Sequence, residues 1–174
     1  MSRLRVEPLD LLAHAAVARE LQVAALRTVA EATGVGGPND GEPPYAKHAE
    51  RPGYRCVGAW EADRLVGYAY GMTTQPGSWW DGWVRPALAA AGRAAVLDDA
   101  FELCAVFVDP AHHRSGVGRA LVTTLLAAVD HPRTVLTTQA GPNPARAFYR
   151  RLGFEELPVE VRHEGVPFVV LAAD

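Results

Sequence analysis

The chain has 174 residues, 49% of them hydrophobic and 21% charged, and its formal net charge is −3. The length suits a single domain, residues 1–174, with a sizeable core, and the apolar fraction is that of an ordinary globular protein. A slightly acidic chain is not expected to bind nucleic acid or an acidic membrane surface. Any anionic ligand must therefore be held by a local cluster of positive charge.

Membrane insertion and secretion are not expected. No apolar run reaches the roughly 18 residues that a membrane span needs. The first ten residues, MSRLRVEPLD, lack the apolar core of a signal peptide. Cys56 and Cys104 stand in apolar, strand-like runs, which predicts two buried thiols rather than a disulfide framework. The sequence therefore predicts a soluble cytoplasmic protein.

The first half of the chain begins with a short strand, LRVEPL, at 4–9. Asp10 is a plausible N-cap for a helix over 11–31. One ridge of that helix carries Val17, Leu21, Ala25 and Val29. The glycine- and proline-rich segment 34–44 then breaks the chain, and a short helix is expected at 45–50.

A hairpin and a tryptophan-rich connection follow. Residues 54–74 carry two strand patterns around Ala62-Asp63-Arg64, which is typical of a hairpin. The segment 76–100 holds three of the four tryptophans and is predicted to be helical only from about Pro86. A connection of this length is often a lid or a binding loop. The tryptophans could wall an acceptor cleft, or they could form a satellite core.

The second half of the chain alternates strands and helices. The apolar run FELCAVFV at 101–108 fits a strand that is covered on both faces. Helical spacing follows over 117–129, then a strand over 134–139 and a short helix over 142–152 that Gly153 ends. Two strands around a turn at His163-Glu164-Gly165 close the chain. This order predicts a mixed α/β sheet with one central parallel crossover.

A glycine-containing turn connects the central strand to the next helix, in DPAHHRSGVGRALV. Such a turn directs unpaired backbone N–H groups and the positive end of the helix dipole at one spot, which favours an anion such as phosphate. Gly116 and Gly118 allow close approach to the backbone. The segment has no P-loop pattern, and position 121 is Leu where a dinucleotide fingerprint would have glycine. A tight turn without any ligand remains the alternative.

Two motifs in order carry a resemblance to a known family. HRSGVG at 113–118 follows a strand that ends in Val-Asp-Pro, and a later helix ends in FYRRLGF at 148–154. With these motifs the chain resembles the GNAT superfamily of N-acetyltransferases over roughly 54–174. The resemblance implies a mixed sheet with a splayed central strand pair, and acetyl-CoA as the co-substrate.

The resemblance also implies which residues bind the cofactor. In the family the turn's backbone amides hold the pyrophosphate. The resemblance therefore implies that the pyrophosphate site here consists of His113, Arg114, Ser115, Gly116, Val117, Gly118 and Arg119. The end of the preceding strand pairs with the pantetheine arm, which assigns backbone groups of Val106 and Val108. His113 stands where the family usually has Gln or Arg. Asn143 lies one residue late for a cofactor-contacting Asn, and it could instead cap a helix that begins at Pro144.

Two side chains are candidates for catalysis. An amine that attacks a thioester must be neutral, and an amine pKa of roughly 10.4 calls for a base or a water relay. Tyr149 resembles the family's proton donor to the CoA sulfur, and otherwise it is a core aromatic. Glu102 lies eleven residues before His113, as the catalytic Glu does in histone-type members, and otherwise it reaches solvent at the strand end. By the same resemblance the Val108 N–H serves the oxyanion.

Other charged residues give weaker indications. Adjacent His112 and His113 rarely bind one metal ion together, and no third ligand has a suitable spacing, so no metal is expected. Arg146 and Arg150 share a helix face, where they could meet CoA phosphates or form a solvated surface.

The sequence thus favours an acetyl-CoA-dependent N-acetyltransferase that acts on a primary amine by direct attack in a ternary complex. A non-catalytic acyl-CoA-binding sensor and a nucleotide-binding protein remain alternatives. The acceptor amine and the oligomeric state stay open, a homodimer included.

Overall fold

The computed structural model describes residues 4–38 and 41–174. The strands are β1 (Leu4–Pro8), β2 (Arg55–Glu61), β3 (Arg64–Thr73), β4 (Ala100–Val108), β5 (Arg133–Gln139), β6 (Glu155–His163) and β7 (Val166–Ala173). The α-helices are α1 (Ala15–Thr33), α2 (Tyr45–Ala49), α3 (Trp79–Ala90), α4 (Val117–Leu126) and α5 (Pro144–Arg151). The prediction of a mixed α/β fold is confirmed.

The seven strands form one mixed sheet in the order β1-β2-β3-β4-β5-β7-β6. The β1–β2, β2–β3, β5–β7 and β6–β7 pairs are antiparallel. β4 and β5 are parallel, as the strand–helix–strand order predicts, and their ladder ends at the pair Glu102–Val135 after three residue pairs. Strand β7 lies between β5 and β6, an order that the sequence alone does not specify.

The chain forms two compact units. The first unit comprises residues up to Met72 together with Leu103–Val129. The second unit comprises Thr73–Glu102 and Asp130–Asp174.

In the first unit, α1 packs an apolar face into a core that includes β3 residues. Asp10 Oδ1 accepts hydrogen bonds from the backbone N–H groups of Leu12, at 3.1 Å, and Ala13, at 3.2 Å. The predicted cap is therefore confirmed, although the first turn is a 3-10 helix. The predicted ridge is wrong at Val17, which is exposed because Ala18 takes the buried position.

The predicted break at 34–44 contains no helix or strand in its described part, and Asn39 and Asp40 lie outside the described residues. The predicted hairpin is confirmed, with Ala62 at a φ of 52° in its turn. Gly67 in β3 permits a close approach of β4, because an added Cβ would lie 2.9 Å from the Phe107 carbonyl oxygen. A side chain at position 67 would therefore push the two strands apart.

In the second unit, the tryptophan-rich segment is a helix rather than a long loop. The predicted start near Pro86 is wrong, because Ser78 accepts from the Asp81 N–H and begins α3 seven residues earlier. Trp80 is buried, and its Nε1 donates to Thr137 Oγ1 at 3.1 Å. It belongs to a hydrophobic cluster that Trp83 also contacts, so the satellite core is the interpretation that the structure supports for Trp80.

The end of the chain agrees closely with the prediction. Asn143 caps α5, so the helix begins at Pro144 rather than Pro142. Gly153 follows the helix with a φ of 93°, which favours glycine. Glu164 and Gly165, with φ of 49° and 80°, form the predicted turn between β6 and β7.

The two cysteines differ in burial. Cys56 is buried in β2, and burial raises the pKa of its thiol to about 12. Cys104 in β4 is half-buried, so the prediction of two buried thiols is wrong for this residue, and neither forms a disulfide. Across the described ranges, no helix is long and apolar enough to cross a membrane.

Candidate functional site

The turn from β4 to α4 is held in shape by hydrogen bonds within the first unit. The Asp109 N–H donates to the Val66 carbonyl at 2.8 Å, and Asp109 Oδ1 accepts from the Ala111 N–H at 2.9 Å. Arg64 forms an ion pair with the other oxygen of the same carboxylate. Asp109 thus anchors the turn to β3 at one end and shapes its first residues at the other.

Helix α4 begins without a side-chain cap. Its N-cap is Gly116, which has a φ of 90°. The space around this α-carbon is open, since an added Cβ would meet nothing within 4 Å. The requirement for glycine is therefore conformational, because L-residues with a side chain rarely adopt this φ. The first-turn N–H groups have no intrahelical partners, and no side chain among the described residues accepts a hydrogen bond from them.

Positive charge surrounds this helix start. Arg114 and Arg119 are exposed, and neither forms an ion pair with any residue that the structure describes. Ser115 is also exposed, and its Oγ donates to the His112 carbonyl at 2.5 Å. Two unneutralised guanidinium groups beside free helical N–H groups form a site suited to a polyanion such as a pyrophosphate.

The two histidines serve the turn itself. His113 Nε2 donates to the Val108 carbonyl at 3.0 Å, which ties the turn to the end of β4. His112 Nε2 lies 3.3 Å from Glu61 Oε2. Within the described ranges, no group of three His, Cys, Asp or Glu side chains is arranged to hold a metal ion.

Strand β4 carries three of the predicted residues. Glu102 and Val106 are half-buried, whereas Val108 is buried, so the expected two-residue alternation of exposure breaks near the end of the strand. Val106 and Val108 belong to the first unit together with the turn. Glu102 belongs to the second unit, where it forms the last pair of the β4–β5 ladder.

Tyr149 is the buried side chain of α5. Its ring contacts Phe148 and Phe154, with ring centroids 5.0 Å and 5.5 Å away. Burial raises the pKa of the phenol well above its ordinary value, so the hydroxyl stays protonated at neutral pH. The hydroxyl makes no hydrogen bond to the described part of the protein. A protonated phenol of this kind can donate to a ligand.

The amide of Asn143 is engaged within the second unit. Its Oδ1 accepts from the Ala145 N–H at 3.0 Å, and its Nδ2 donates to Thr138 Oγ1 at 2.8 Å and to the Gln139 carbonyl at 3.2 Å. The helix cap is thus the role that the structure displays. Any contact with a cofactor would need the second lone pair of Oδ1 or a backbone group.

Arg146 and Arg150 face a carboxylate rather than open solvent. Arg146 donates to both oxygens of Glu156, at 2.8 and 2.9 Å, and Arg150 donates to one of them at 2.7 Å. The Arg146 hydrogen bond, reinforced by the charges of both arginines, lowers the pKa of the Glu156 carboxyl. These two arginines join α5 to β6.

A cluster of tyrosines in the first unit was missed by the sequence reasoning. Four of the five tyrosines belong to or pack against one hydrophobic cluster: Tyr45, Tyr54, Tyr68 and Tyr70. The Tyr45 and Tyr68 hydroxyls are 2.7 Å apart, and Tyr45 donates to Gln22 Oε1 at 2.9 Å. The signal was present in the sequence, because Tyr68 and Tyr70 are two residues apart in one strand and so share a face.

His48, at the end of α2, extends this cluster. Its Nδ1 lies 3.0 Å from the Tyr70 hydroxyl. Burial lowers the pKa of its imidazole, and the charges of Arg51 and Lys47 lower it further. The neutral imidazole is therefore favoured at neutral pH.

Comparison with known proteins places these features in a family. The model of the acetyltransferase (GNAT) family matches residues 23–154. A GCN5-like protein acetyltransferase from Mycobacterium tuberculosis is 34% identical over 101 residues, which cover 53% of this chain and 49% of that protein. The chain thus spans about half the length of the curated relative that it matches.

Solved structures share the fold. A protein from Desulfovibrio desulfuricans that is classed as a GNAT acetyltransferase matches with a TM-score of 0.68 and 20% identity, over 99% of both chains. YncA from Salmonella typhimurium, solved with its cofactor acetyl-CoA, matches with a TM-score of 0.66 and 19% identity, over 98% of this chain and 93% of that one. With the family model matching most of its length, this chain belongs to the GNAT family of acetyltransferases.

Proposed function

We propose that this protein is an N-acetyltransferase that moves the acetyl group of acetyl-CoA to a primary amine of a small molecule or a protein. The amine attacks the thioester directly, in a ternary complex. The protein acts as a soluble, cytoplasmic enzyme of one domain and uses no metal ion.

The observation that carries this proposal is the turn between β4 and α4. Its uncapped helix start suits the pyrophosphate of CoA, and so do Arg114 and Arg119, which form no ion pair with the described residues. Residues 113–119 would bind this group mainly through backbone N–H groups. Arg114 has a φ of 59°, which turns the backbone just before the helix.

The remaining assignments follow from family membership. Backbone groups of Val106 and Val108 would pair with the pantetheine amides, and the Val108 N–H would donate to the oxyanion. Acetyl-CoA supplies an acyl group that is activated as a thioester, and the CoA thiolate is the leaving group. Tyr149 would protonate that thiolate, and the raised pKa of its phenol, which keeps the proton on the hydroxyl at neutral pH, supports this role. Glu102 would take the amine proton, directly or through water, and Asn143 would contact the cofactor arm.

A non-catalytic acyl-CoA sensor of the same fold is the second candidate. It needs the turn and β4, but it does not need Tyr149 or Glu102. The hydroxyl of Tyr149, which makes no hydrogen bond to the described residues, favours the enzyme, because a merely structural aromatic at this position could be phenylalanine.

A thiol-release assay tests the proposal. The protein is mixed with acetyl-CoA and a panel of primary amines, and free CoA is measured over time. We expect release that depends on the amine. Stabilisation by CoA without release on any amine would instead identify a sensor, and stabilisation by ATP or NAD but not by CoA would overturn both candidates.

A further inference from the structure

A cavity of about 420 Å³ opens in the surface of the second unit. Its lining comes from the segment 93–96 before β4, from the start of β5, from β6 and from the end of β7. None of its lining residues is assigned to acetyl-CoA or to catalysis. A cavity of this volume is large enough for a small organic molecule, so the second unit has room for a ligand of its own.

Part of the lining is apolar and held in place by the core. Val96, Leu157 and Ala172 line the cavity and also pack against the hydrophobic cluster that contains Trp80. Because that cluster is buried in the second unit, these side chains keep their positions without a ligand. A ligand with a small apolar part would cover them, which is worth about 25 cal/mol for each Å² removed from water.

Four charged side chains share the lining, and only two of them are paired. Arg133 Nε donates to Asp174 Oδ1 at 2.5 Å, so the charges of these two side chains balance each other. Arg93 and Glu155 are exposed and line the same cavity, but neither forms an ion pair with any described residue. They are also too far apart to pair with each other. The cavity thus presents one unpaired cation and one unpaired anion.

These two charges indicate the chemistry of the ligand. The carboxylates of Glu155 and Asp174 would repel a polyanion such as a nucleotide. A molecule with one carboxylate and one ammonium group would instead accept hydrogen bonds from Arg93 and donate to Glu155. Such a molecule is neutral overall, as the lining is, and it would give both unpaired side chains a partner of opposite charge.

We propose that this cavity binds a small zwitterion with an apolar side chain, a free amino acid such as leucine, with its carboxylate on Arg93 and its ammonium group on Glu155. The site is a second one, separate from the turn between β4 and α4. The inference does not rest on the proposed function, because binding here requires neither acetyl-CoA nor transfer of an acetyl group.

Calorimetry with three probes of the same carbon skeleton tests the inference. The probes are leucine, isoamylamine, which lacks the carboxylate, and isocaproate, which lacks the ammonium group. We expect leucine to bind with a Kd about tenfold lower than either analogue, which is the low end of the effect of a hydrogen bond to a charged group. Arg93→Gln should raise the Kd of leucine by about tenfold and leave that of isoamylamine unchanged. Glu155→Gln should raise it likewise and leave that of isocaproate unchanged.

Arg151→Gln is the matched control. Arg151 is an exposed arginine of the same unit that forms no ion pair with the described residues and does not line the cavity. This variant should leave the Kd of leucine within about twofold, as is usual for an exposed charge. Thermal unfolding of each variant shows that the protein still folds.

Amide chemical shifts locate the bound leucine. We expect the changes to centre on Gly153, Leu157 and Ala172, whose residues line the cavity. Changes centred on the turn at 113–119 would place leucine elsewhere and overturn the inference. Equal Kd values for the three probes, or no binding at millimolar concentration, would also overturn it and leave the cavity to solvent.

Failure of this inference is distinct from failure of the proposed function. If leucine does not bind in the cavity while CoA is released in the presence of an amine, the zwitterion site is refuted and the acetyltransferase stands. If leucine binds in the cavity but no amine gives thiol release, the site stands and the proposed function fails.

Discussion

At the scale of single residues, the turn at 113–119 depends on the backbone more than on side chains. Gly116 has open space around it and is needed for its positive φ. His113 binds back to Val108, so its side chain maintains the turn. The substitution of His for the family's usual Gln or Arg therefore leaves the backbone site intact, and the two arginines supply the charge.

Gly116→Ala should weaken CoA binding. A side chain at a φ of 90° costs about 1 kcal/mol or more, and the relaxed backbone would turn N–H groups away from the pyrophosphate. We expect a rise of about tenfold in the Kd for CoA, measured by calorimetry. Gly92→Ala is the control, because Gly92 also has a positive φ, of 69°, and open space around it. It should lower stability without changing this Kd, and equal Kd values for the two variants would contradict the assignment.

Tyr149→Phe should lower kcat while leaving CoA affinity and folding nearly unchanged. The variant keeps the ring that packs against Phe148 and Phe154 and removes only the proton donor. General acid catalysis is worth about 10²-fold or more, so we expect a loss of this size in the thiol-release rate. Tyr45→Phe, which removes a hydroxyl bonded to Gln22, serves as a comparison. An unchanged kcat in Tyr149→Phe would remove the acid role.

At the scale of elements, α5 and β6 are joined by a charged contact that depends on pH. Arg146 lowers the pKa of the Glu156 carboxyl, with help from Arg150. A carboxyl with a lowered folded-state pKa stabilises the fold above its unfolded value, near 4.5, and loses that contribution as pH falls through the folded value. Partial exposure of all three side chains keeps the contribution small.

Glu156→Gln should therefore destabilise the protein by about 1 kcal/mol at pH 7, as expected for a bidentate, partly exposed pair. The difference from the parent should shrink as the pH is lowered below the carboxyl's folded pKa. Urea unfolding at pH 7 and at several acidic values measures this. Glu160→Gln is the control, since Glu160 pairs with one arginine near it on the same strand and is more exposed. A penalty that is constant with pH would refute the ionic origin.

Helix α3 contains a site for stabilisation. Gly82 is exposed, has ordinary helical φ, and has nothing within 4 Å of an added Cβ. Gly82→Ala should raise the free energy of unfolding by about 0.5–1 kcal/mol, because alanine loses less backbone entropy in a helix. Gly77→Ala, at a φ of 76°, should do the opposite. Urea unfolding compares the two, and a destabilised Gly82→Ala would show that the helix does not hold this position as described.

At the scale of the whole molecule, CoA should stabilise the protein against heat. At a concentration about 100 times its Kd, a ligand that binds only the folded state adds about 2.7 kcal/mol. For a chain of this size that corresponds to a rise in Tm of roughly 5–10 °C. ATP and NAD lack the pantetheine arm and should add much less at equal concentration. An equal shift with all three would mean that only a phosphate is recognised.

The sequence was sufficient for the parts of the fold that depend on local chemistry. Asp10, Asn143 and Gly153 indicate helix ends, and the two-residue turn at 164–165 indicates a hairpin, because each is set by the residue at that position. The sequence was insufficient for elements whose position depends on residues far away in the chain. The start of α3 depends on Ser78 and Asp81 capping a helix that tolerates Pro86, and the place of β7 between β5 and β6 is set by pairing.

The candidate site also has a part that could be predicted from local sequence and a part that could not. The turn between β4 and α4 could be predicted from its glycines, because backbone conformation is local, whereas its role in phosphate binding stays a prediction. The hydrogen bonds that join Tyr45, Tyr68 and Gln22 could not, because these residues are far apart in the sequence. Only the folded chain brings these three side chains together.

The unequal burial of the two thiols has a practical use. A thiol reacts as its thiolate, and at neutral pH a pKa of about 12 leaves almost none of Cys56 in that form. Cys104 is half-buried in β4, so this residue is more accessible to solvent than Cys56. An alkylating fluorophore should thus attach at one position without any engineered cysteine. The label would lie on β4, two residues before Val106, so its emission should change when CoA binds.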